Sequence, residues 1–330
     1  MQESAVGTVH EILETRGRAA ALGAGVDPVV VEAAASYMAN EDSGMGFAFS
    51  GWAQCALPHR KLAPEAHWGI AAENIRLLVE PGKRLVGTCG DAEFVGVPFG
   101  SYARLILLYL QTEALRTGSR EVELGGSLRD WLSRIGVSYG GVTAKSVRDQ
   151  AERLSMCKLS FHFNFQGGKK TGLVNQTIVD RALFLEADDL TKPRQGRLCL
   201  EAAKLSEGFF EQLKRHPLPL EEAAIKSLNN QSAALDCYLW LAYRLHVLNG
   251  DLTISWPALK DQFGTAFKKI GGFKSWFLAP GGPLALALAV YPAAKVDVAL
   301  PGLILKPSKP PVNPRMVAIG GQTASRLAIS

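Results

Sequence analysis

Residues 97–165 constrain the fold more than any other part of the chain, because structural signals follow one another there in a fixed order. Apolar residues recur at intervals of three and four over residues 102–115, which predicts a helix with one apolar face. Gly118 suits the left-handed conformation just past a helix end. Residues 121–124 then alternate polar and apolar side chains, as a short strand with one solvent-facing side does. The segment therefore opens with a helix and a strand.

Two further helices and a hairpin are predicted after this strand. Ser127 suits the N-cap of the second helix, and the third helix is predicted to start near Thr143. Polar and apolar side chains alternate over residues 158–165, which predicts a strand. Residues 167–172, with two lysines, are predicted to form the tip of a hairpin, and residues 173–186 its return strand. This order is that of a winged helix-turn-helix, whose third helix enters a DNA groove while the loop contacts phosphates.

The third helix and the hairpin tip supply the predicted DNA contacts of this first module. Asp149 and Glu152 lie among the basic residues of the helix, so an ordinary α+β domain with a solvated charged helix also accounts for it. The basic tip beside the helix favours DNA. Five helix residues are predicted to face the major groove and two tip residues to hold phosphates, namely Thr143, Lys145, Ser146, Arg148 and Arg153, then Lys169 and Lys170.

The charge is distributed unevenly along a chain of 330 residues, 47% of them hydrophobic, which suffices for two or three globular domains. The net charge of +5 is mild. Residues 1–96 carry seven basic and twelve acidic side chains, residues 97–186 twelve and eight, and residues 227–306 seven and four. Phosphate repels the first segment and attracts the other two. The acidic segment is therefore better suited to contacting protein.

The opening pattern recurs after residues 187–226, whose prolines and charges predict a connector with one short helix. An amphipathic helix ending at Gly250 is followed by a short strand at 253–256, by helices interrupted at 280–283, and by a closing hairpin at 295–305. This order predicts a second module of the same kind. Its predicted DNA contacts are Lys268, Lys269 and Lys274.

The predicted fold class is therefore α+β, with two tandem winged helix-turn-helix domains and an N-terminal helical and β extension. Within the extension, residues 75–86 predict a hairpin that turns at Pro81 and Gly82. The predicted divisions are 1–96 for the acidic extension packed on the first module, 97–186 for the first winged-helix domain, 187–226 for the connector, 227–306 for the second winged-helix domain and 307–330 for a basic, proline-containing tail.

The sequence lacks the residue patterns that several classes of function require. Five widely spaced cysteines without a C-x-x-C pair support neither a disulfide framework nor a zinc site. Residues 167–171 lack the spacing of a phosphate-binding loop, and the six histidines are scattered. The sequence has no signal-peptide pattern and no apolar run of roughly 20 residues. We therefore expect a cytoplasmic protein without cofactor, metal, membrane contact or catalytic activity.

Longer motifs of the chain match one known protein family. They are GFAFSGW at 46–52 with LPHR at 57–60, GVPFGSYARLILLYLQTEALRT at 96–117, EVELGGSLRDWL at 121–132, GGVTAKSVRDQAERL at 140–154 and LALALAVYP at 284–292. In these motifs, over most of residues 40–310, the chain resembles the RepA-type plasmid replication initiators. The resemblance implies a protein that binds repeated double-stranded DNA sites at a plasmid origin and promotes origin opening. It also implies the host replication initiator and the replicative helicase as partners.

Three alternatives stay open at the level of sequence. A winged-helix transcriptional repressor would use the same modules without initiating replication. An origin-nicking enzyme would require metal-dependent cleavage of DNA, and a protein-interaction scaffold would lack salt-sensitive DNA binding. The acidic extension is the expected contact for a homodimer partner or for host proteins.

Overall fold

The computed structural model describes residues 5–40, 44–72, 75–86, 90–138, 140–165, 170–186 and 198–312. The helices are α1 (Ala5–Gly23), α2 (Pro28–Met38), α3 (Gly51–Gln54), α4 (Gly100–Thr117), α5 (Gly125–Arg134), α6 (Gly141–Met156), α7 (Glu207–Arg215), α8 (Glu222–Ser227), α9 (Ser232–Arg244), α10 (Trp256–Phe263), α11 (Ile270–Phe277) and α12 (Pro283–Ala289). The strands are β1 (Met45–Phe49), β2 (Trp68–Ala71), β3 (Ile75–Glu80), β4 (Lys83–Val86), β5 (Asp91–Phe94), β6 (Glu121–Glu123), β7 (Lys158–Phe165), β8 (Lys170–Thr177), β9 (Val179–Glu186), β10 (Leu198–Leu205), β11 (Pro217–Glu221), β12 (Leu252–Ser255), β13 (Lys295–Val298) and β14 (Gly302–Lys306).

The strands of the described ranges form small antiparallel sheets rather than one large sheet. Their orders are β2-β3-β7-β8, β6-β10-β9, β12-β14-β13, β1-β11 and β4-β5. Helices and short sheets pack around one continuous apolar core. The α+β class expected from the sequence is confirmed. No helix of the described residues is both long and apolar enough to cross a membrane.

Helix α4 is the central element that the apolar spacing predicted. It ends where expected, at Gly118 with φ of 66°, a conformation that favours glycine. Two polar side chains on its buried face bind strand β1, because the Phe49 amide donates to Gln111 Oε1 at 2.7 Å and the Phe47 amide donates to Thr112 Oγ1 at 2.8 Å. The N-terminal extension is therefore attached directly to the first predicted module.

Helix α5 begins earlier than the sequence predicted. Ser127 was expected to be its N-cap, but the helix starts at Gly125 and Leu124 occupies the cap position without a side-chain hydrogen bond. The prediction for Ser127 is wrong. The Leu128 amide bonds to the Leu124 carbonyl at 2.6 Å, so the first turn closes on a buried leucine rather than on a hydroxyl.

The predicted hairpin over residues 75–86 does not form. Strand β3 pairs with β2 and β7, whereas β4 pairs with β5. The reason is burial: Ile75, Leu77 and Val79 form one fully apolar face. This face is buried when β3 lies in the four-stranded sheet β2-β3-β7-β8, where Leu77 is paired with the buried Phe161.

Residues 173–186 form two strands, not the single return strand that was predicted. Ile178 separates β8 from β9, is fully buried, and accepts a hydrogen bond at its carbonyl from the Ser206 amide at 3.0 Å. The expected β7–β8 hairpin is confirmed. However, β9 leaves that sheet and pairs with β10.

The described part of 187–226, predicted to be a connector with one short helix, contains β10, α7, β11 and α8. Strand β10 pairs with β6, and β11 pairs with β1. Prolines at 217 and 219 argued against regular structure, yet β11 is one strand of a two-stranded sheet, where proline is tolerated. Its alternate residues Leu218 and Leu220 are buried, and this burial stabilises the strand.

Residues 232–306 form a helix, a strand, three further helices and a hairpin, close to the predicted order, but the first helix ends at Arg244 rather than at Gly250. Ser255 caps α10 by accepting from the Ala258 amide, and Pro257 lies in the first turn. The Pro-Gly segment at 280–283 separates α11 from α12, and β13 and β14 form the closing hairpin. Helix α2 packs on α8 and α12, so the helical part of the extension contacts this half of the molecule, while β3 pairs with β7 of the other half.

Candidate nucleic-acid interface

The first two turns of α6 line a cleft of about 810 Å³. Three of the residues predicted to read DNA lie on it, namely Thr143, Lys145 and Ser146. Lys145 is exposed, and Thr143 and Ser146 are half-buried. The opposite wall comprises the N-terminus of α4 and the turn before α9, with Ser101, Tyr102, Asn229 and Asn230. The cleft thus combines hydroxyl, amide and ammonium groups, which can donate to phosphate oxygens.

The last turns of α6 are covered by the β4–β5 hairpin. Arg84 donates to Glu152 Oε1 at 3.1 Å and also pairs with Glu93 of the same hairpin. Gly82 approaches so closely that a Cβ there would lie 2.2 Å from the Met156 carbonyl oxygen. Of α6, the residues up to Gln150 are therefore available to a ligand in the cleft, and the last turns are covered.

Arg153 lies away from the cleft, although it was predicted to face a DNA groove. Its Nε donates to Asp149 Oδ2 at 2.9 Å, and its Nη1 donates to the Val97 carbonyl at 3.3 Å. The guanidinium carbon also stacks 5.3 Å from the centre of the Phe99 ring. The side chain is buried, with 6% exposed, because residues 96–99 cross it. Arg153 holds that segment against α6 and does not join Thr143, Lys145 and Ser146.

The acidic residue of the cleft is neutralised within α6. Asp149 accepts from Arg153 and also from Gln150 Nε2 at 2.8 Å. Gln150 Oε1 accepts from the Phe99 amide at 2.8 Å, at the start of α4. Asp149 therefore contributes little net negative charge to the cleft, whose remaining charged side chains, Lys61 and Lys145, are positive.

The remaining predicted site residues are distributed outside this cleft. Arg148 is half-buried and donates from Nε to the Ala144 carbonyl at 3.2 Å. Lys169 lies outside the described residues, and Lys170 begins β8 opposite Phe165. In the second half of the molecule, Lys268 and Lys269 are exposed just before α11, and the Lys274 ammonium lies 4.6 Å from the centre of the Trp256 ring.

Sequence reasoning missed Lys61, Asn229 and Asn230 as cleft residues. Lys61 belongs to the basic run Pro58-His59-Arg60-Lys61, which was a visible signal without an assigned role. Asn229 and Asn230 carried no local signal, because the α8–α9 turn reaches the cleft only through tertiary packing. Asn229 Nδ2 donates to the Ile135 carbonyl at 2.8 Å and so joins that turn to the end of α5.

A buried ion pair joins the two halves of the molecule beneath the cleft. Arg104 of α4 donates to both carboxylate oxygens of Asp236 of α9, at 2.7 Å and 2.6 Å. The guanidinium also donates to the carbonyls of Leu57 and Gly100. Both charged side chains are buried, so the pair depends on this complete set of hydrogen bonds.

His59 contacts the same ion pair and lines the cleft. Its Nδ1 lies 3.2 Å from Ser232 Oγ and 3.3 Å from Arg104 Nη2. Burial and then the positive charge of Arg104 lower the pKa of His59 to about 4, although Asp236 opposes the shift. His59 is therefore neutral at pH 7.

We expect the stability to fall as the pH is lowered from about 6.5 to about 4, since unfolded histidine protonates near 6.5 and folded His59 near 4. Between these values the unfolded chain binds more protons, so protonation favours unfolding by about 3 kcal/mol. The check is urea unfolding at several pH values for the wild type and for His59→Gln. The variant should lose this part of the slope; an unchanged slope would show that other groups cause it.

The described cysteines are ordinary buried thiols. Cys55, Cys157 and Cys237 are free, and burial raises the pKa of Cys55 and Cys157 to about 12. No group of three His, Cys, Asp or Glu side chains that could hold a metal ion occurs among the residues described.

Together, the α+β fold and the polar cleft along α6 define a candidate nucleic-acid-binding protein. Residues 97–257 match the family model described as plasmid encoded RepA protein. The RepA-type family expected from the sequence is therefore confirmed.

Two solved structures, both of domains 2 and 3 of RctB, are similar to the chain at 13% identity. The selenomethionine derivative has a TM-score of 0.46, with 67% of this chain and 79% of the RctB chain covered. The second structure has a TM-score of 0.38, with 69% and 79% covered. No curated protein matches this chain.

Proposed function

We propose that this protein is a non-enzymatic plasmid replication initiator that binds repeated double-stranded sites at its origin. One observation carries the proposal: the free, polar N-terminal half of α6, which lies in the segment that matches the RepA family, lines a basic cleft. A helix N-terminus presents amide groups and a positive dipole end to phosphates. Thr143, Lys145 and Ser146 would contact DNA directly, with Lys61 beside them.

The sheet orders support the proposal of two winged-helix modules. In each, a helix is followed by a strand, by further helices and by two antiparallel strands, and the first strand pairs with the last one. The elements are α4, β6, α5, α6, β9 and β10 in the first, and α9, β12, α10, α11, α12, β13 and β14 in the second, which therefore has one more helix. The β7–β8 hairpin would then be an addition that binds the N-terminal extension. The first module would extend to residue 205 rather than to 186.

The remaining contacts of the initiator are proposals of the same kind. Lys268, Lys269 and Lys274 would bind phosphates of a second stretch of the site, and Arg148, Lys169 and Lys170 would add contacts beside the first. Arg153 would support the interface from inside. The acidic N-terminal segment would contact a second copy, the host initiator or the helicase in the cytoplasm.

Footprinting of the origin region tests this function and the DNA face together. We expect the wild type to protect regularly spaced repeats. Lys145→Ala should weaken binding to these repeats by about 1–3 kcal/mol and relax the specificity at one base position of the site. Lys61→Gln should weaken binding to all sequences and lower the salt slope by about 1.

The matched control is Lys214→Gln, on the distant helix α7, which should bind as the wild type does. Binding unchanged in both Lys145→Ala and Lys61→Gln would show that the DNA face lies elsewhere. Absence of any protected repeats with the wild type would refute the initiator function itself.

A further inference from the structure

The three-residue loop between β13 and β14 exposes a large apolar side chain. Leu300 is 94% exposed, more than any other large apolar residue among those described, and Val298 beside it is 57% exposed. Exposing such side chains to water is unfavourable, and the loop carries no charge that would bind phosphate. The fold itself gives no use for this residue.

The loop is held firmly in place. The Trp256 amide donates to the Pro301 carbonyl at 3.1 Å, and the Trp256 indole Nε1 donates to the Ala299 carbonyl at 3.2 Å. The Ala299 amide bonds to the Gly302 carbonyl at 2.9 Å. A Cβ at position 302 would lie 1.8 Å from the Ile254 carbonyl oxygen, so glycine is required for the strands to approach. Leu300 is thus presented in a preorganised position.

The same tryptophan contacts a basic helix. Lys274 of α11 lies over the Trp256 ring, and Lys268 and Lys269 are exposed directly before that helix. Residues 264–302 contain four lysines and one carboxylate. That carboxylate, Asp297, is paired with Lys306 at 2.5 Å. The apolar tip and the Lys274 ammonium group therefore both lie next to Trp256.

We propose that Leu300 inserts into the minor groove of duplex DNA and partly unstacks one base step. This inference rests on the proposed function, and it adds a second mode of contact to phosphate binding by the lysines. Apolar side chains inserted between base pairs kink the duplex and unstack the step. Pyrimidine–purine steps cost least to deform, so the inserted step is expected to be of this type. Lys274 beside Trp256 and the excess of lysine over carboxylate in residues 264–302 favour DNA over an apolar protein surface as the occupant.

The test uses the full chain and duplexes of a footprinted repeat that carry 2-aminopurine at successive steps. Binding of the wild type should raise the fluorescence at one step and bend the DNA in a circular-permutation assay. Leu300→Ala should abolish both signals and weaken binding about tenfold, with an unchanged salt slope, because only apolar contact is lost. Since Leu300 is exposed, the variant should fold normally.

Val247→Ala is the matched control, because Val247 is likewise an exposed apolar side chain, 57% exposed, but lies just after α9 and not on the β13–β14 loop. It should bind and unstack as the wild type does. Wild-type fluorescence and bending in Leu300→Ala would overturn the insertion while leaving the footprint, and hence the initiator function, intact. An altered oligomeric state of Leu300→Ala with unchanged DNA binding would also overturn it, by showing that the loop contacts protein. Failure of the proposed function would be seen separately, as a wild-type chain that protects no repeats.

Discussion

Replacing Asp236 by alanine is expected to lower the free energy of unfolding by about 3–5 kcal/mol, because it leaves the buried Arg104 guanidinium without its carboxylate. The two side chains are only 6% and 7% exposed, so water cannot take the place of the lost partner. Urea unfolding followed by tryptophan fluorescence measures the loss. The change should also loosen α4 from α9, which are joined by this ion pair.

The ion pair of Glu113 with the 60% exposed Arg116, on the same helix, is the matched control. Arg116→Ala should cost about 0–1 kcal/mol. Replacing both buried partners, with Arg104→Met and Asp236→Leu, should recover part of the stability, since no unpaired charge is left behind. A loss below about 1 kcal/mol for Asp236→Ala would mean that the pair is hydrated in solution.

Phe161→Ala is expected to cost about 3–5 kcal/mol, since it removes a fully buried aromatic side chain at the junction of β7 with the N-terminal extension. The ring packs edge-on against Phe49 at 5.6 Å and Trp52 at 5.5 Å between centroids. The measurement is the unfolding midpoint in urea, with the cleavage rate by protease at residues 45–80 as a second readout. We expect cleavage of the extension to accelerate.

Phe94→Ala provides the comparison for this substitution, because Phe94 is 39% exposed on the β4–β5 hairpin. Its cost should stay below about 1 kcal/mol. Equal losses for the two variants would contradict a shared core between the extension and the first module.

Much of the helical structure was predictable because its signals are local. The apolar spacing over 102–115 predicted α4, and Gly118 predicted its end. The break at 280–283 and the closing hairpin at 295–305 followed from proline, glycine and alternation. These features depend on neighbours within a few residues, which periodicity captures.

Strand partners were not predictable in the same way. The strand predicted at residues 75–79 is confirmed as β3, but the partner predicted at residues 85–86 belongs to β4, which is part of another sheet. The alternation of a strand indicates which of its faces is apolar, but it does not indicate which distant strand pairs with it. The role of residues 198–221 was missed for this reason, because β10 and β11 pair with strands far away in the chain.

The sequence by itself determined the polar face of α6, the basic residues before α11 and the match of residues 97–257 to the RepA family model. Tertiary structure alone decided which half of α6 is open: residues 96–99 bury Arg153 and the β4–β5 hairpin covers Glu152, while Lys61 and Asn230 reach the cleft from other segments. A helical wheel cannot contain this information, because burial of one face depends on chain segments that contact it from far away in the sequence.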